Sequence, residues 1–158
     1  FSKVLGLPQL KLGWIVVCGK EPLRTQAQDR LELIADTFLS VGTPIQLAAS
    51  ELLAQRSVLA TGIAARTADS LQLLQQTLAG SMVSVLPVEG GWYAVLKVPQ
   101  LIPEEELLLR LLDEDHVIMH PGYFFDFADE AYLVVSLLAD PTALADGARR
   151  LLHRLENL

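Results

Sequence analysis

The chain has 158 residues, of which 51% are hydrophobic and 20% are charged, and its formal net charge is −7 at pH 7. This length and composition are typical of about one globular domain with a substantial core, and they exclude an intrinsically disordered chain. The acidic balance argues against a nucleic-acid-binding surface, and every apolar run is shorter than the roughly 20 residues of a membrane-spanning helix.

The single cysteine and the first residues bear on the cellular compartment. Cys18 has no second cysteine to pair with, which favours a reducing, cytoplasmic environment. Its place at the end of an apolar run predicts a small buried side chain. Lys3, Lys11 and Lys20 run through the apolar stretch instead of preceding it, which is unlike a signal peptide. Because the sequence begins with Phe1 and not with Met, we expect a fragment of a longer protein.

The first quarter of the chain predicts a strand followed by a helix. Residues 10–18 form an apolar run that contains Val and Ile and ends at Gly19, a pattern typical of a buried strand. Residues 22–39 have helical periodicity, with Pro22 at the start. The predicted apolar stripe of this helix comprises Leu31, Leu33, Ile34, Phe38 and Leu39.

Two more helices and a hairpin are predicted next. Thr43 is expected to cap a helix that has Pro44 in its first turn. A long helix over about 55–79 should end at Gly80. The segments that flank a Glu-Gly-Gly turn, residues 82–87 and 92–98, predict a β-hairpin.

The last third predicts a mixture of helices and strands. Pro103 and the three glutamates after it open a short helix, where acidic side chains complement the helix dipole. Further predicted elements are a strand at 116–119, a turn at Pro121-Gly122, a strand at 132–138 and a final helix from Asp140-Pro141. The expected fold is α+β, with helices packed on a small antiparallel sheet and the strand at 10–18 in a different sheet.

Several short motifs resemble those of a known enzyme family. Ser2-Lys3, followed by Lys11 and Gly13, resembles the lysine signature of fold type I, class I/II pyridoxal-phosphate aminotransferases, the aspartate aminotransferase family. Other segments resemble landmarks of the same family in the same order. They are Thr43-Pro44-Ile45-Gln46, Pro87-Val88-Glu89-Gly90-Gly91-Trp92-Tyr93, His120-Pro121-Gly122 with Phe124-Phe125, the strand at 132–137 and the helix at 141–156.

This resemblance implies a cofactor and roles for two lysines. Lys3 would be the catalytic lysine that forms the Schiff base with pyridoxal 5'-phosphate, and Lys11 would contact the cofactor phosphate. A lysine amine is a good nucleophile only when burial or a neighbouring positive charge lowers its pKa, and Lys11 would supply such a charge. The freed amine would then move a proton at the substrate α-carbon as general base and acid.

The resemblance also implies a domain organisation and partners. Residues 1–21 would end a large cofactor-binding domain, and residues 22–158 would form inter-domain helices and the small C-terminal domain. The family's phosphate-binding glycine loop, ring-stacking aromatic residue and pyridine-pairing aspartate lie upstream of the lysine. We therefore expect the 158-residue chain alone to be inactive and its parent to be a homodimer that transfers an amino group between an amino acid and a 2-oxo acid.

The sequence departs from the family pattern at two positions. Lys11 stands where the family usually has arginine. Lysine keeps the positive charge but cannot make the bidentate contact of a guanidinium with phosphate. Val134 aligns with the arginine that usually holds the substrate α-carboxylate, and valine has no such capacity. Other basic residues could substitute, although each is interpreted as a solvated helix charge. They are Arg24, Arg30, Arg56, Arg66 and Arg110.

Other reactive side chains carry weaker signals. His116 and His120 are four residues apart on an extended stretch that then turns, so they lack the same-face spacing of a helical metal pair and no metal site is expected. The acidic runs at 104–106 and 113–115 are interpreted as a solvated helix start and a polar loop. The aromatic pair at 92–93 is assigned to the hairpin core.

Three alternatives to an aminotransferase stay open. One is a β-lyase on the same fold, which would release ammonia and pyruvate from a sulfur amino acid. Another is the effector domain of an aminotransferase-like transcription regulator with a winged-helix domain upstream. The last is a structural or partner-binding α+β domain that carries out no pyridoxal-phosphate chemistry.

Overall fold

The computed structural model describes residues 1–38 and 40–158, so the predicted stripe residue Leu39 lies outside the described residues. In these ranges the chain forms five α-helices and four β-strands. They are α1 (Leu23–Thr37), α2 (Thr43–Ala54), α3 (Arg56–Leu78), β1 (Ser84–Val85), β2 (Tyr93–Lys97), α4 (Glu104–Asp113), β3 (His120–Pro121), β4 (Tyr132–Ser136) and α5 (Pro141–Glu156). The chain divides into two compact units, Phe1–Ile63 and Ala64–Leu158.

The predicted helices of the first unit are confirmed, but their burial and capping differ from expectation. Leu33, Ile34 and Phe38 are exposed, and α1 contains no buried residue. Gly42, and not Thr43, is the N-cap of α2, because Thr43 already has helical geometry. The Gly42 carbonyl accepts a hydrogen bond from the backbone N–H of Gln46, 3.3 Å away.

The predicted buried strand at 10–18 is wrong. Residues 8–10 form a short 3-10 helix, and residues 11–18 have no regular secondary structure. Trp14, Ile15 and Val16 are 60%, 72% and 74% exposed, and Cys18 is exposed as well. A strand needs a neighbour to pair its N–H and C=O groups. The sheet built from residues 1–38 and 40–158 offers none to this segment.

The second unit is built on an antiparallel sheet with strand order β1-β2-β4-β3. The predicted hairpin pairs β1 with β2, and Gly91 adopts a φ of +83° in its turn. The strand expected at 116–119 is wrong, because pairing with β4 is confined to β3. The N–H of Val117 instead donates to the Leu111 carbonyl at the end of α4, 2.8 Å away, and its side chain is buried.

One face of this sheet packs in the hydrophobic core. Leu96 lies opposite Leu133 and Ala94 opposite Val135, and all four side chains belong to the hydrophobic core. The helices contribute the other large side chains of that core, which include Leu74 and Leu78 of α3, Leu107 and Leu111 of α4, and Leu144, Leu151 and Leu155 of α5. This burial of apolar area is the main stabilisation of the unit.

A buried carboxylate links α4 to the sheet. Glu104, predicted to be solvated, is 4% exposed. Its Oε1 accepts a hydrogen bond from the Gly122 N–H at 2.8 Å, and its Oε2 accepts one from the Tyr132 N–H at 3.0 Å. A side chain at Gly122 would not fit, since its Cβ would lie 2.8 Å from the Tyr132 Cβ. Glu104 therefore holds the turn after β3 against the start of β4.

The final helix is fixed at both ends by charged side chains. Asp140 is its N-cap and accepts hydrogen bonds from the backbone N–H groups of Thr142 and Ala143, at 2.9 and 3.2 Å. Near the other end, Arg154 makes two hydrogen bonds of 2.7 and 3.0 Å to the Asp115 carboxylate. Asp115 is therefore an ion-pair partner. The sequence prediction of a free polar loop at this position is wrong.

Removal of the Glu104 carboxylate should destabilise the chain more than removal of its neighbour. Glu104→Ala leaves two N–H groups of the turn and β4 without their acceptor, and we expect a loss of about 2–4 kcal/mol in the free energy of unfolding. Glu105→Ala removes an exposed acid from the same helical turn and should cost about 0.5 kcal/mol or less. Urea unfolding measures both, and equal losses would contradict the bridging role.

The helix cap should make stability depend on pH. Hydrogen bonds from the Thr142 hydroxyl and from the N–H groups of Ala143 and Thr142 lower the pKa of Asp140. A lowered pKa in the folded state contributes stability above the unfolded pKa of about 3.9, and this contribution is lost as the pH falls through the folded value. Asp140→Ala should lower the thermal midpoint at pH 7 and have less effect at pH 2. Asp146→Ala, in an exposed surface pair, is the control.

Candidate functional site

The first twelve residues form a closed loop. The Phe1 carbonyl accepts hydrogen bonds from the N–H groups of Leu5 and Leu7, at 3.1 and 3.4 Å. The terminal ammonium group on Phe1 donates to the Leu12 carbonyl at 2.6 Å. The Phe1 ring also meets the Trp14 ring edge-on, with 6.2 Å between centroids. These contacts hold the two ends of the loop together.

The two predicted site lysines both lie in this loop. Lys3 is two residues from the Phe1 end, and Lys11 precedes Leu12 at the other end; both side chains are exposed. Lys11 adopts a φ of +52°, which marks the point where the chain leaves the 3-10 turn. The loop thus places the backbones of both lysines within two residues of one junction.

The charge of this segment favours an anion. Residues 1–20 contain Lys3, Lys11 and Lys20 and no acidic residue. The first acid is Glu21, whose carboxylate accepts hydrogen bonds from Arg24 and Thr25. Those contacts, led by the Thr25 hydroxyl, lower the pKa of Glu21. The two loop lysines therefore give this segment a positive charge, which attracts anionic groups such as phosphate.

Val134 occupies the middle of β4 and is buried. It pairs with Val95 on one side and with His120 on the other. Its side chain is on the sheet face opposite Leu133 and Val135, because neighbouring residues of a strand point to opposite faces. The uncharged residue at this position cannot hold a carboxylate, so the departure noted in the sequence persists in the structure.

The substitute arginines have local roles where the structure shows their contacts. Arg66 donates to the carbonyl oxygens of Leu138 and Ala139, at 2.7 and 3.3 Å. Arg24 is paired with Glu21, and Arg110 with Glu106. These contacts hold strand and helix ends and do not converge on a carboxylate-binding site.

Sequence reasoning missed a group of exposed rings on the outer sheet face. Tyr93, assigned to the hairpin core, is exposed and lies 5.9 Å from Phe125 between ring centroids. The His120 ring is 6.3 Å from Phe124 and 6.2 Å from Phe125. The sequence signal was the run of three aromatic residues at 123–125, which amphipathic periodicity does not account for.

A metal site requires clustered ligands, and a membrane span requires a long apolar helix. In residues 1–38 and 40–158, no group of three or more His, Cys, Asp or Glu side chains is arranged to hold a metal ion. None of the helices in the same ranges combines the length and apolar character that a membrane span requires.

The chain is similar to known aminotransferases in sequence and in fold. The model of the family described as aminotransferase class I and II matches residues 1–151. A PLP-dependent aminotransferase from Streptococcus suis superposes on 99% of this chain with a TM-score of 0.80 and 23% identity. An aminotransferase from Mycobacterium tuberculosis superposes on all of it, with a TM-score of 0.82 and 20% identity.

A third similar structure is a probable N-succinyldiaminopimelate aminotransferase from Thermus thermophilus. It covers 82% of this chain, with a TM-score of 0.73 and 22% identity. The chain spans 40%, 41% and 35% of the lengths of these three structures. At these identities the structural likeness establishes the α+β fold, as predicted.

Proposed function

Since the chain belongs to the class I and II aminotransferase family, we propose that it forms part of a pyridoxal-phosphate-dependent enzyme that transfers an amino group between an amino acid and a 2-oxo acid. The observation that carries this proposal is the family match over residues 1–151, which contains both Lys3 and Lys11. The remainder of the site would come from chain beyond these residues, because the matched structures are more than twice as long.

The loop suits the cofactor in charge and in chemistry. Lys11 would neutralise the phosphate, and it is an exposed residue at the end of the 3-10 turn. Lys3 would supply the amine that holds the cofactor. When bound, pyridoxal phosphate supplies an electron sink for the reaction at the substrate α-carbon.

Lys3 would then serve as the proton carrier. A primary amine held beside the α-carbon can accept a proton there as general base and return one as general acid. The side chain of Lys3 is exposed, and the cofactor would be presented to it by additional chain. Residues 1–21 would accordingly belong to a larger cofactor domain, and the exposed apolar run at 14–16 would pair with strands of that domain.

The assembly follows from the same proposal. A parent homodimer with sites shared between subunits, located in the cytoplasm, is the arrangement we propose for the complete enzyme. The 158-residue chain alone lacks most of the length of the matched structures, so we propose that it is inactive and binds the cofactor weakly or not at all.

Borohydride labelling tests the role of Lys3. A form of the protein extended upstream to the length of the matched aminotransferases is incubated with pyridoxal phosphate, reduced and analysed by peptide mass spectrometry. We expect a pyridoxyl group on Lys3 and no adduct in Lys3→Arg. Lys11→Ala should keep the adduct but weaken cofactor affinity by at least about tenfold, because it loses a charged contact.

The control and the contradicting result use the same assay. Lys20→Ala changes a lysine of the same segment outside the loop and should retain wild-type labelling and affinity. An adduct on another lysine of the extended protein would refute the assignment of Lys3. Stoichiometric labelling of the 158-residue chain would refute the proposal that this chain binds the cofactor weakly or not at all.

Product analysis tests the type of reaction. In an amino-group transfer, conversion of the donor requires a 2-oxo acid acceptor and produces the matching amino acid without free ammonia. Mass spectrometry of products with and without pyruvate or 2-oxoglutarate measures this dependence in the extended protein. Release of ammonia and a 2-oxo acid without any acceptor would identify elimination and contradict the transfer.

A further inference from the structure

A cavity opens at the edge of the sheet in the second unit, where β3 begins. Pairing with β4 starts only at His120, and in the part of the chain that the structure describes, residues 116–119 have no strand partner. The space between these residues, β4 and α5 is a cavity of about 430 Å³. That volume lies within the usual range of small-molecule binding sites, roughly 300–1,000 Å³.

The cavity is kept open by contacts that direct this unpaired segment away from β4. The N–H of Val117 donates to the Leu111 carbonyl of α4, and the Val117 side chain is buried. The Arg150 guanidinium of α5 donates to the Asp115 carbonyl at 2.8 Å. His116, between these two contacts, adopts a φ of +56°, which is uncommon for a residue other than glycine. The separation from β4 is therefore built into the fold.

A glycine in the interior of α5 adds to the space in this cavity. Gly147 lines the cavity, and glycine inside a helix is less favourable than alanine. Packing does not require glycine here, because an added Cβ would lie 3.7 Å from the Val117 Cγ1, an ordinary van der Waals distance. The missing side chain instead leaves open space in the cavity wall. A residue that weakens its helix and enlarges a cavity favours a ligand-binding role for that cavity.

The polar groups of the cavity are mainly hydrogen-bond donors. Among the described residues that line it, Asp146 is the one acid, and its Oδ2 is bound by Arg150 at 2.8 Å. A guanidinium has five N–H groups, so Arg150 can donate to a ligand while it keeps this ion pair. The Ser136 oxygen already accepts a backbone N–H at 3.2 Å, which leaves its hydroxyl hydrogen to donate. Two imidazoles, those of His116 and His120, complete the polar lining.

This lining favours an anionic ligand with an apolar body. Apolar side chains form the rest of the wall, and those of Val135 and Leu144 also belong to the hydrophobic core. A carboxylate would accept charge-assisted hydrogen bonds from Arg150, whereas an ammonium ion would meet a cation whose own carboxylate partner is already engaged. We propose that the cavity binds a small carboxylic acid with an apolar body and no amino group. Such a ligand is not the amino donor of the proposed transfer, and its binding uses neither Lys3 nor the cofactor.

Three matched probes test the charge preference. Phenylacetate, 2-phenylethanol and 2-phenylethylamine share a phenyl ring on a two-carbon chain and differ in charge. The chain has two methionines, of which Met119 lines the cavity and Met82 is exposed outside it. With both methyl groups labelled, an NMR titration of the 158-residue chain should show saturable shifts of Met119 alone. We expect phenylacetate to bind at least about threefold more tightly than the alcohol, and the amine to bind most weakly.

Two substitutions of Gly147 test whether the cavity is the binding site. Gly147→Leu would place a side chain in the cavity and should weaken phenylacetate binding by at least about fivefold, because a ligand site must enclose most of its ligand. Gly147→Ala should keep binding within about twofold and raise the thermal midpoint, since alanine is the better helix former. Circular dichroism verifies that each variant is folded.

A pair of neighbouring arginines tests the charge. Arg150→Gln removes the cation from the cavity and should weaken phenylacetate binding by at least about fivefold, with little change for 2-phenylethanol. Arg149→Gln is the matched control, because Arg149 is exposed on the same helix and pairs with Asp146 without lining the cavity. This control should bind all three probes like the unsubstituted chain.

Several results would overturn the inference. Equal affinity for the three probes would leave the cavity without a charge preference, and tightest binding of the amine would reverse that preference. Shifts of Met82 equal to those of Met119, or unchanged binding in Gly147→Leu, would place the ligand elsewhere. The absence of any shift up to about 10 mM phenylacetate would exclude this ligand class. Since no cofactor is present in these titrations, their outcome leaves the borohydride test of Lys3 unaffected.

Discussion

The second unit depends on the buried carboxylate of Glu104. Its two oxygens bind the backbone of Gly122 and Tyr132, which lie in different elements and far apart in sequence from the helix that carries Glu104. A carboxylate buried without such donors would be costly, whereas here each oxygen has a backbone partner. The bridge joins α4, the turn after β3 and the start of β4, and it positions the turn that displays Tyr123, Phe124 and Phe125.

The sheet and its helices explain why aromatic rings are exposed on the outer face. Ala94, Leu96, Leu133 and Val135 turn toward the core, so the alternate residues of β2 and β4 are left on the other face. Rings of the 122–125 turn lie over part of that face but remain exposed themselves.

The first unit shows how an apolar sequence behaves without a partner. Trp14, Ile15 and Val16 have the composition of a central strand, but burial requires a neighbouring strand that residues 1–38 and 40–158 do not supply. The same holds for α1, which forms a helix in which no residue is buried. The chain covers about 40% of the matched aminotransferases, which is consistent with the proposal that further chain covers these surfaces.

Local signals in the sequence determined the helices, the hairpin, the α+β class and the family. Proline and glycine residues predicted the start of α1, the end of α3 and the turn at Gly91, because their backbone preferences act over a few residues. The assignment of Lys3 and Lys11 rests on a motif whose residues are close together in the sequence.

Contacts between distant residues were decided only by the tertiary structure. No local pattern separates Glu104 from Glu105, yet one is buried and the other exposed, since only the first meets backbone donors 18 and 28 residues away. The same limit applies to Asp115, whose partner Arg154 lies 39 residues further on. Periodicity predicts which side of an element is apolar, but burial depends on whether another part of the chain lies against it.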